Sequence, residues 1–202
     1  NYLVDKQTLI EEHIVGIPMD EFILRNKGVE IENRLRLAKE FVKFNERCFV
    51  RLLGDMRGYN FVLEITQDFD NVQYRIRAMD FDQQSFEGRK NIYKPQFYKD
   101  NLELVELVQE LMTDEVIQQY QRIEKVAMKK RYFASRQRTR SLLRIMRKDK
   151  ISTNENIETL RKELSKHHND PEFLNYNNMG DILSRHLENT LSIDVLSRNI
   201  VK

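Results

Sequence analysis

LGDMRGYNFVLEITQDFDNVQYRIRAMDFD, residues 53–82, is the stretch on which the reading of this chain turns. It opens with Asp55 and, five residues on, Asn60. An alternating apolar run follows, Phe61, Leu63 and Ile65, then a polar break over 68–71, then a second alternating run, Tyr74, Ile76 and Ala78, which delivers Asp80. Two period-two runs around a short polar break predict a β-hairpin. Because a hairpin brings the chain back to where it started, Asp55, Asn60 and Asp80 are expected to converge at one end of it. Two carboxylates and an amide oxygen are hard ligands, suited to Mg²⁺ and the phosphates it carries rather than to zinc or copper.

With those residues in hand, the stretch resembles the protein-kinase-like superfamily, in which a D-x-x-x-x-N catalytic loop precedes a hairpin that ends in D-F-G. The resemblance implies roles position by position. Asp55 matches the base that accepts the substrate hydroxyl proton, and Arg57 a cation facing the transferred phosphoryl group. Asn60 and Asp80 match the magnesium-binding amide and carboxylate, with Asp82 as a further metal-side acid. The loop is closest in form to the H-G-D version of small-molecule kinases such as the aminoglycoside and choline phosphotransferases. Two positions depart from the pattern: Leu53 stands where the family has histidine, and Asp82 where D-F-G has glycine. Asp and Asn at a strand entrance are also ordinary turn formers, which is the plainer account of the same residues.

Working outward, residues 30–53 carry Ile31, Leu35, Ala38, Phe41, Val42, Cys48, Phe49 and Leu52 at spacings of three and four, an amphipathic helix of about six turns. It leads directly into Leu53-Gly54-Asp55, as the long C-lobe helix of kinases leads into the catalytic loop. Upstream, Tyr2-Leu3-Val4 and residues 8–15 read as short strands closed by Gly16 and Pro18. By resemblance they are the last N-lobe strands and the hinge, with backbone groups at Glu12, His13 and Ile14 taking the adenine edge of ATP. Neither a glycine-rich phosphate loop nor a lysine in the right context precedes them. The chain begins at Asn1, in what reads as the middle of a fold, as a fragment lacking its N-lobe would.

Downstream, residues 83–101 are polar and aromatic with Gly88 and Pro95, a long loop in the place of an activation segment. The A-P-E anchor of protein kinases is missing, which disfavours peptide substrates. From Asn101 the pattern is helical almost to the end. Thr113 is expected to cap one helix and Asn154 or Ser152 another, Asp170-Pro171 to start a third, and Gly180-Asp181 to lead into a fourth. The expected fold is α+β and predominantly helical: a protein-kinase-like C-lobe with a β-hairpin at the active site and an incomplete N-lobe. Residues 1–16 form the residual N-lobe strands and hinge, and 17–202 the helical C-lobe, of which 112–202 also reads as a helical appendage.

Composition narrows the rest. The 202 residues are 40% hydrophobic, enough for a substantial core, and 33% charged with a net charge of only +2, so whole-chain charge implies no partner. Cys48, the single cysteine, excludes a disulfide within the chain and reads as a buried thiol. With no long apolar run and no leader, neither a membrane span nor a signal peptide is expected, and the expected compartment is cytoplasmic. Eleven Lys or Arg residues lie between Lys125 and Lys150. A nucleic-acid surface is the sharper reading of them and a solvated helix face the plainer one, which is preferred. The four histidines show no metal-ligand spacing. The functional expectation is a kinase-like transferase that moves the ATP γ-phosphate to a small hydroxylated or amino substrate with Mg²⁺ as cofactor. Its rival is a non-catalytic kinase-like module that binds a protein or nucleic acid.

Overall fold

A computed structural model of the chain describes residues 2–3, 9–10, 15–25, 31–68 and 71–195. The fold is α+β and mostly helical. Two short strands, β1 (Tyr2–Leu3) and β2 (Leu9–Ile10), pair antiparallel. The hinge residues Glu12, His13 and Ile14, expected to meet adenine, lie outside the described residues. Next come β3 (Ile17–Pro18), helix α1 (Met19–Arg25) and the long helix α2 (Ile31–Arg51). The hairpin follows as β4 (Phe61–Asp68) and β5 (Asn71–Ala78), and together with β3 it forms an antiparallel sheet of order β3-β4-β5.

Helix α2 is the spine. Its apolar spacing wraps far enough round the helix to serve two cores at once. Leu37, Ala38, Phe41, Val42, Phe44 and Cys48 pack with Phe61, Leu63 and Ile76 of the hairpin, while Phe49, Val50 and Leu52 enter a second cluster built by the C-terminal helices. The helix stops in a left-handed cap. Leu53 N–H donates to Cys48 O at 2.9 Å and Leu52 N–H to Phe49 O at 3.0 Å, with Leu52 itself at φ 51°. That is the six-to-one and five-to-two pair of a Schellman motif, with a leucine where glycine is usual. Leu52 tolerates the strained backbone because its side chain is completely buried; full burial of a leucine is worth about 2 kcal/mol, against roughly 1 for the left-handed conformation.

The hairpin is longer than its apolar alternation suggests, with pairing running from Phe61↔Ala78 to Asp68↔Asn71. Beyond Leu63 the residues Ile65, Thr66 and Gln67 are exposed, so backbone pairing, not burial, extends it. Gly16 to Pro18, read from sequence only as the end of a strand, itself joins the sheet through Ile17↔Leu63 and Pro18↔Val62. A proline is tolerated there because β3 is an edge. The other edge, β5, is covered by side chains of α2. Glu40 accepts from Ile76 N–H, Arg47 donates to Ile76 O, and Arg36 donates to Val72 O at 2.6 Å. Satisfying the open edge this way removes a template for pairing with another chain.

Residues 83–101, expected as a loop, contain three short 3₁₀ turns, Lys90–Tyr93, Pro95–Phe97 and Lys99–Asn101. After them come α3 (Leu102–Leu111), α4 (Asp114–Ala134), α5 (Arg136–Met146), α6 (Asn154–His168) and α7 (Met179–Leu191). Some helix starts differ from expectation. Thr153, not Asn154 or Ser152, caps α6, accepting from Asn156 N–H. Asp170-Pro171 starts only a 3₁₀ turn, Pro171–Asn175, and α7 is capped one turn early by Asn178, whose side chain accepts from Asp181 N–H at 2.8 Å. Gly180 therefore sits inside the first turn of α7. A Cβ there would come within 2.5 Å of Arg147 N, so glycine is what lets α7 approach the end of α5.

Histidines far apart in sequence meet in this second core. His168 Nε2 lies 2.9 Å from His186 Nδ1, and His186 Nε2 lies 2.9 Å from Phe49 O. A carbonyl can only accept, so His186 carries its proton on Nε2 and takes one from His168 at Nδ1; both rings are neutral. Burial, with the neighbouring rings, pushes His186 down to about 3 and His168 to about 4.

Candidate functional site

The segment between α2 and β4 is held from two sides. Leu53 and Gln84 form an isolated antiparallel bridge, with Gly54 N–H donating to Gln83 O and Ser85 N–H to Leu52 O at 2.7 Å. A Cβ on Gly54 would meet Gln83 O at 3.2 Å, so the crossing of the two segments is close. This bridge puts the residues just before Asp55 beside those just after Asp82. From below, Tyr98 accepts from Asp55 N–H at 3.0 Å and donates to Ile92 O, while buried Asn101 donates to Met56 O and Pro95 O. Burial raises the Tyr98 hydroxyl to about 12, so it stays protonated and able to donate. Neither Tyr98 nor Asn101 could be assigned this task from sequence, since an aromatic and an amide in a polar loop carry no signal of what they face.

Asp55 adopts φ 52°, the left-handed region that Asp and Asn tolerate better than other non-glycine residues. Local strain of this kind tends to be found at functional sites. The Asn60 amide Nδ2 donates to Asp55 O at 2.7 Å and reaches the Asp55 carboxylate at 3.3 Å. Arg57 Nε pairs with Asp55 Oδ1 at 3.0 Å, and Arg57 Nη1 with Asp100 Oδ2 at 3.3 Å, the guanidinium lying 5.4 Å from the Tyr98 ring centre. The bond to Asp55 raises the Arg57 pKa. Met79 N–H donates to Asn60 O at 2.9 Å, continuing the hairpin ladder one step past Phe61↔Ala78. So Asp55, Arg57 and Asn60 are in direct contact, and the ladder carries Asp80 to the same open end of the hairpin. Asp80 Oδ1 accepts from Asp82 N–H at 3.0 Å, a tight acid turn, and the exposed Asp82 carboxylate has no ion pair among the described residues.

The oxygens left uncommitted at this end of the hairpin are hard donors, the kind that Mg²⁺ takes. With Nδ2 of Asn60 committed to Asp55, its Oδ1 is the atom left to ligate, and Asp80 keeps one oxygen beyond the bond to Asp82. Among the described residues no three His, Cys, Asp or Glu side chains gather closely enough to cage an ion. Mg²⁺ usually keeps waters and takes one or two carboxylates plus substrate phosphates, which is what oxygens at Asn60, Asp80 and Asp82 can offer.

The remaining sequence candidates fall elsewhere. Cys48 is buried, and desolvation pushes its thiol to about 12, so it is not a nucleophile. Of the cations between Lys125 and Lys150, Lys125 pairs with Glu46, Arg131 with Glu124 and Arg147 with Asp181, while Lys129 and Arg140 donate to the backbone carbonyls of Ser192 and Val195. Among the described residues, no helix is long and apolar enough to cross a membrane. In comparisons with known proteins, no family model, no curated protein and no solved structure matches the chain.

Proposed function

We propose that this chain is a protein-kinase-like phosphotransferase module that moves the γ-phosphate of ATP to a small hydroxylated or amino acceptor. The observation that carries this reading is the clasp of Asn60 on the Asp55 carbonyl, combined with the ladder bond from Met79 to Asn60 that brings Asp80 to the same hairpin end. A turn-forming Asp and Asn would need neither the long-range bridge between Leu53 and Gln84 nor the Tyr98 bond to Asp55.

In this reading Asp55 accepts the proton of the acceptor hydroxyl as its oxygen attacks the γ-phosphorus and the bond to the ADP leaving oxygen breaks. Asn60, Asp80 and Asp82 would hold Mg²⁺, which supplies charge neutralisation on the phosphate oxygens. Arg57 is kept at the loop by Asp55 and Asp100, where its charge offsets that of the transferred group. Substrate access is to the open end of the hairpin, since Asp55 and Arg57 keep 37% and 44% of their side-chain surface.

Asp55→Asn tests the assignment. It conserves shape and leaves the metal-side residues untouched, so folding and Mg·ATP affinity stay near those of the parent, while phosphoryl transfer falls by roughly 10²- to 10⁴-fold. Turnover within a few-fold of the parent would remove Asp55 from the chemistry.

The second reading is a non-catalytic kinase-like module. It is favoured by Leu53 in place of histidine, by Asp82 in place of glycine, and by the engagement of the Asp55 carboxylate with Arg57. A parent protein that binds Mg·ATP but transfers no phosphate to any hydroxylated or amino acceptor selects it.

A further inference from the structure

A cavity of about 400 Å³ opens between the C-terminal half of α2, strand β5 and α4; its lining contains neither Asp55, Arg57 nor Asn60, although Leu53, Ala78 and Phe81 on its wall adjoin that loop. Its charged lining is entirely arginine: Arg47, Arg51, Arg75, Arg77 and Arg131. Phe44, Ile76 and Phe81 supply apolar surface between them. Three of the five guanidinium groups are matched by carboxylates. Arg47 pairs with Glu40 at 2.6 Å and lies 3.6 Å from Glu124, Arg131 pairs with Glu124 at 3.0 Å, and Arg77 pairs with Glu64 at 2.8 Å. Arg51 and Arg75 have no ion pair among the described residues. Five cations thus face three anions, and two positive charges are left over.

Such an excess is costly where water is partly excluded. Arg51 and Arg75 are both exposed at the cavity mouth, so water and solutes reach them; desolvation and the charges of Arg47 and Arg131 nevertheless lower the Arg51 pKa. An arginine stays charged in any protein, so the site cannot relieve the repulsion by losing a proton. It can be relieved by an anion. Two surplus charges match a phosphate monoester, which carries about −1.5 to −2 at neutral pH, and guanidinium forks suit its oxygens in paired hydrogen bonds.

We propose that this arginine cavity is a binding site for a phosphate monoester dianion, separate from the Asp55 site. Arg51 on α2 and Arg75 on β5 bind it across the cavity, while Arg47 and Arg131 keep their carboxylate partners and set the field. Phe81 lines the same cavity and stands between Asp80 and Asp82, so an occupant touches the segment that carries the acid turn. The dianion can come as a free phosphate compound or as a phosphorylated side chain.

Calorimetric titration with inorganic phosphate, without magnesium or nucleotide and at matched ionic strength in chloride, tests the site. The parent binds phosphate above the chloride background. Arg51→Gln with Arg75→Gln weakens binding at least tenfold, and Arg57→Gln, at the catalytic loop, leaves it within two-fold. Arg75→Gln alone serves if the double variant does not fold, since the exposed Arg75 side chain has no ion pair among the described residues, and at least a threefold loss is expected. A phosphoserine residue blocked at both ends is titrated in parallel. Affinity tenfold above that of phosphate assigns the site to a phosphorylated protein side chain, and equal or weaker affinity to free phosphate compounds. No binding above chloride, or binding that Arg57→Gln abolishes while the arginine-cavity variants retain it, overturns the proposal.

Discussion

Acidification from pH 7.5 to 5.0 is expected to cost the fold about 2 kcal/mol through His186 alone. The ring is fully buried, neutral, and committed at both nitrogens, to Phe49 O and to His168. In the unfolded chain a histidine titrates near 6.5, whereas burial holds His186 at about 3 in the native state. Between those two values the unfolded state binds the extra proton, so stability is full above about pH 6.5 and declines as pH falls towards the native pKa. At pH 5.0 the cost is set by the 1.5-unit gap to the unfolded value, about 2 kcal/mol at roughly 1.4 per unit, and it is insensitive to how far below 5 the native value lies. His168, held at about 4 by burial and by His167, adds up to a similar amount, for a total of about 2–4 kcal/mol. Asp170 does not contribute in this window, because its carboxylate titrates well below it. The chain has no tryptophan, so urea unfolding is best followed by far-ultraviolet circular dichroism at the two pH values. His186→Asn removes the titrating ring while keeping an amide donor for Phe49 O, and it should flatten the pH dependence by about 2 kcal/mol. His168→Asn provides the same comparison if the first variant is too unstable. A loss of stability between pH 7.5 and 5.0 that is the same in parent and variant would refute the reasoning.

Asp170 should account for a separate, more acidic decline: its bond to Arg185 holds the carboxylate at about 2, so its stabilisation is present above the unfolded value near 3.9 and lost as pH falls towards 2. Asp170→Asn, which keeps the 3₁₀ cap, should cost about 2 kcal/mol at neutral pH and remove that decline in acid unfolding curves. Tyr98→Phe strands Asp55 N–H and Ile92 O, for a loss of about 2 kcal/mol in urea unfolding, and amide exchange at Asp55 should speed up. Gly180→Ala forces a methyl against the Arg147 backbone at 2.5 Å and should cost about 3 kcal/mol; a variant as stable as the parent would contradict the tight packing of α7 on α5.

Patterns repeated within one element were legible from sequence, because an apolar period reports which face of that element avoids water. The period of three and four over residues 30–53 located α2, and the alternation at Phe61, Leu63, Ile65 and Tyr74, Ile76, Ala78 located the hairpin; both elements stand where those patterns put them. The hairpin reading also anticipated convergence at its open end, and of the residues it named, Asp55 and Asn60 are in direct hydrogen-bond contact. Contacts between elements were not legible. His168 and His186 are eighteen residues apart and carry no motif, yet packing of α6 and α7 on Phe49 makes them hydrogen-bond partners. Tyr98 and Asn101 became the underside of the Asp55 loop only through the path of the turns before α3. The arginine cavity draws its residues from α2, β5 and α4, each of which taken alone has an ordinary charged face. Local free energies choose helix, strand and turn within a few residues, but which side chains end up uncompensated depends on long-range burial, and only the tertiary structure decides that.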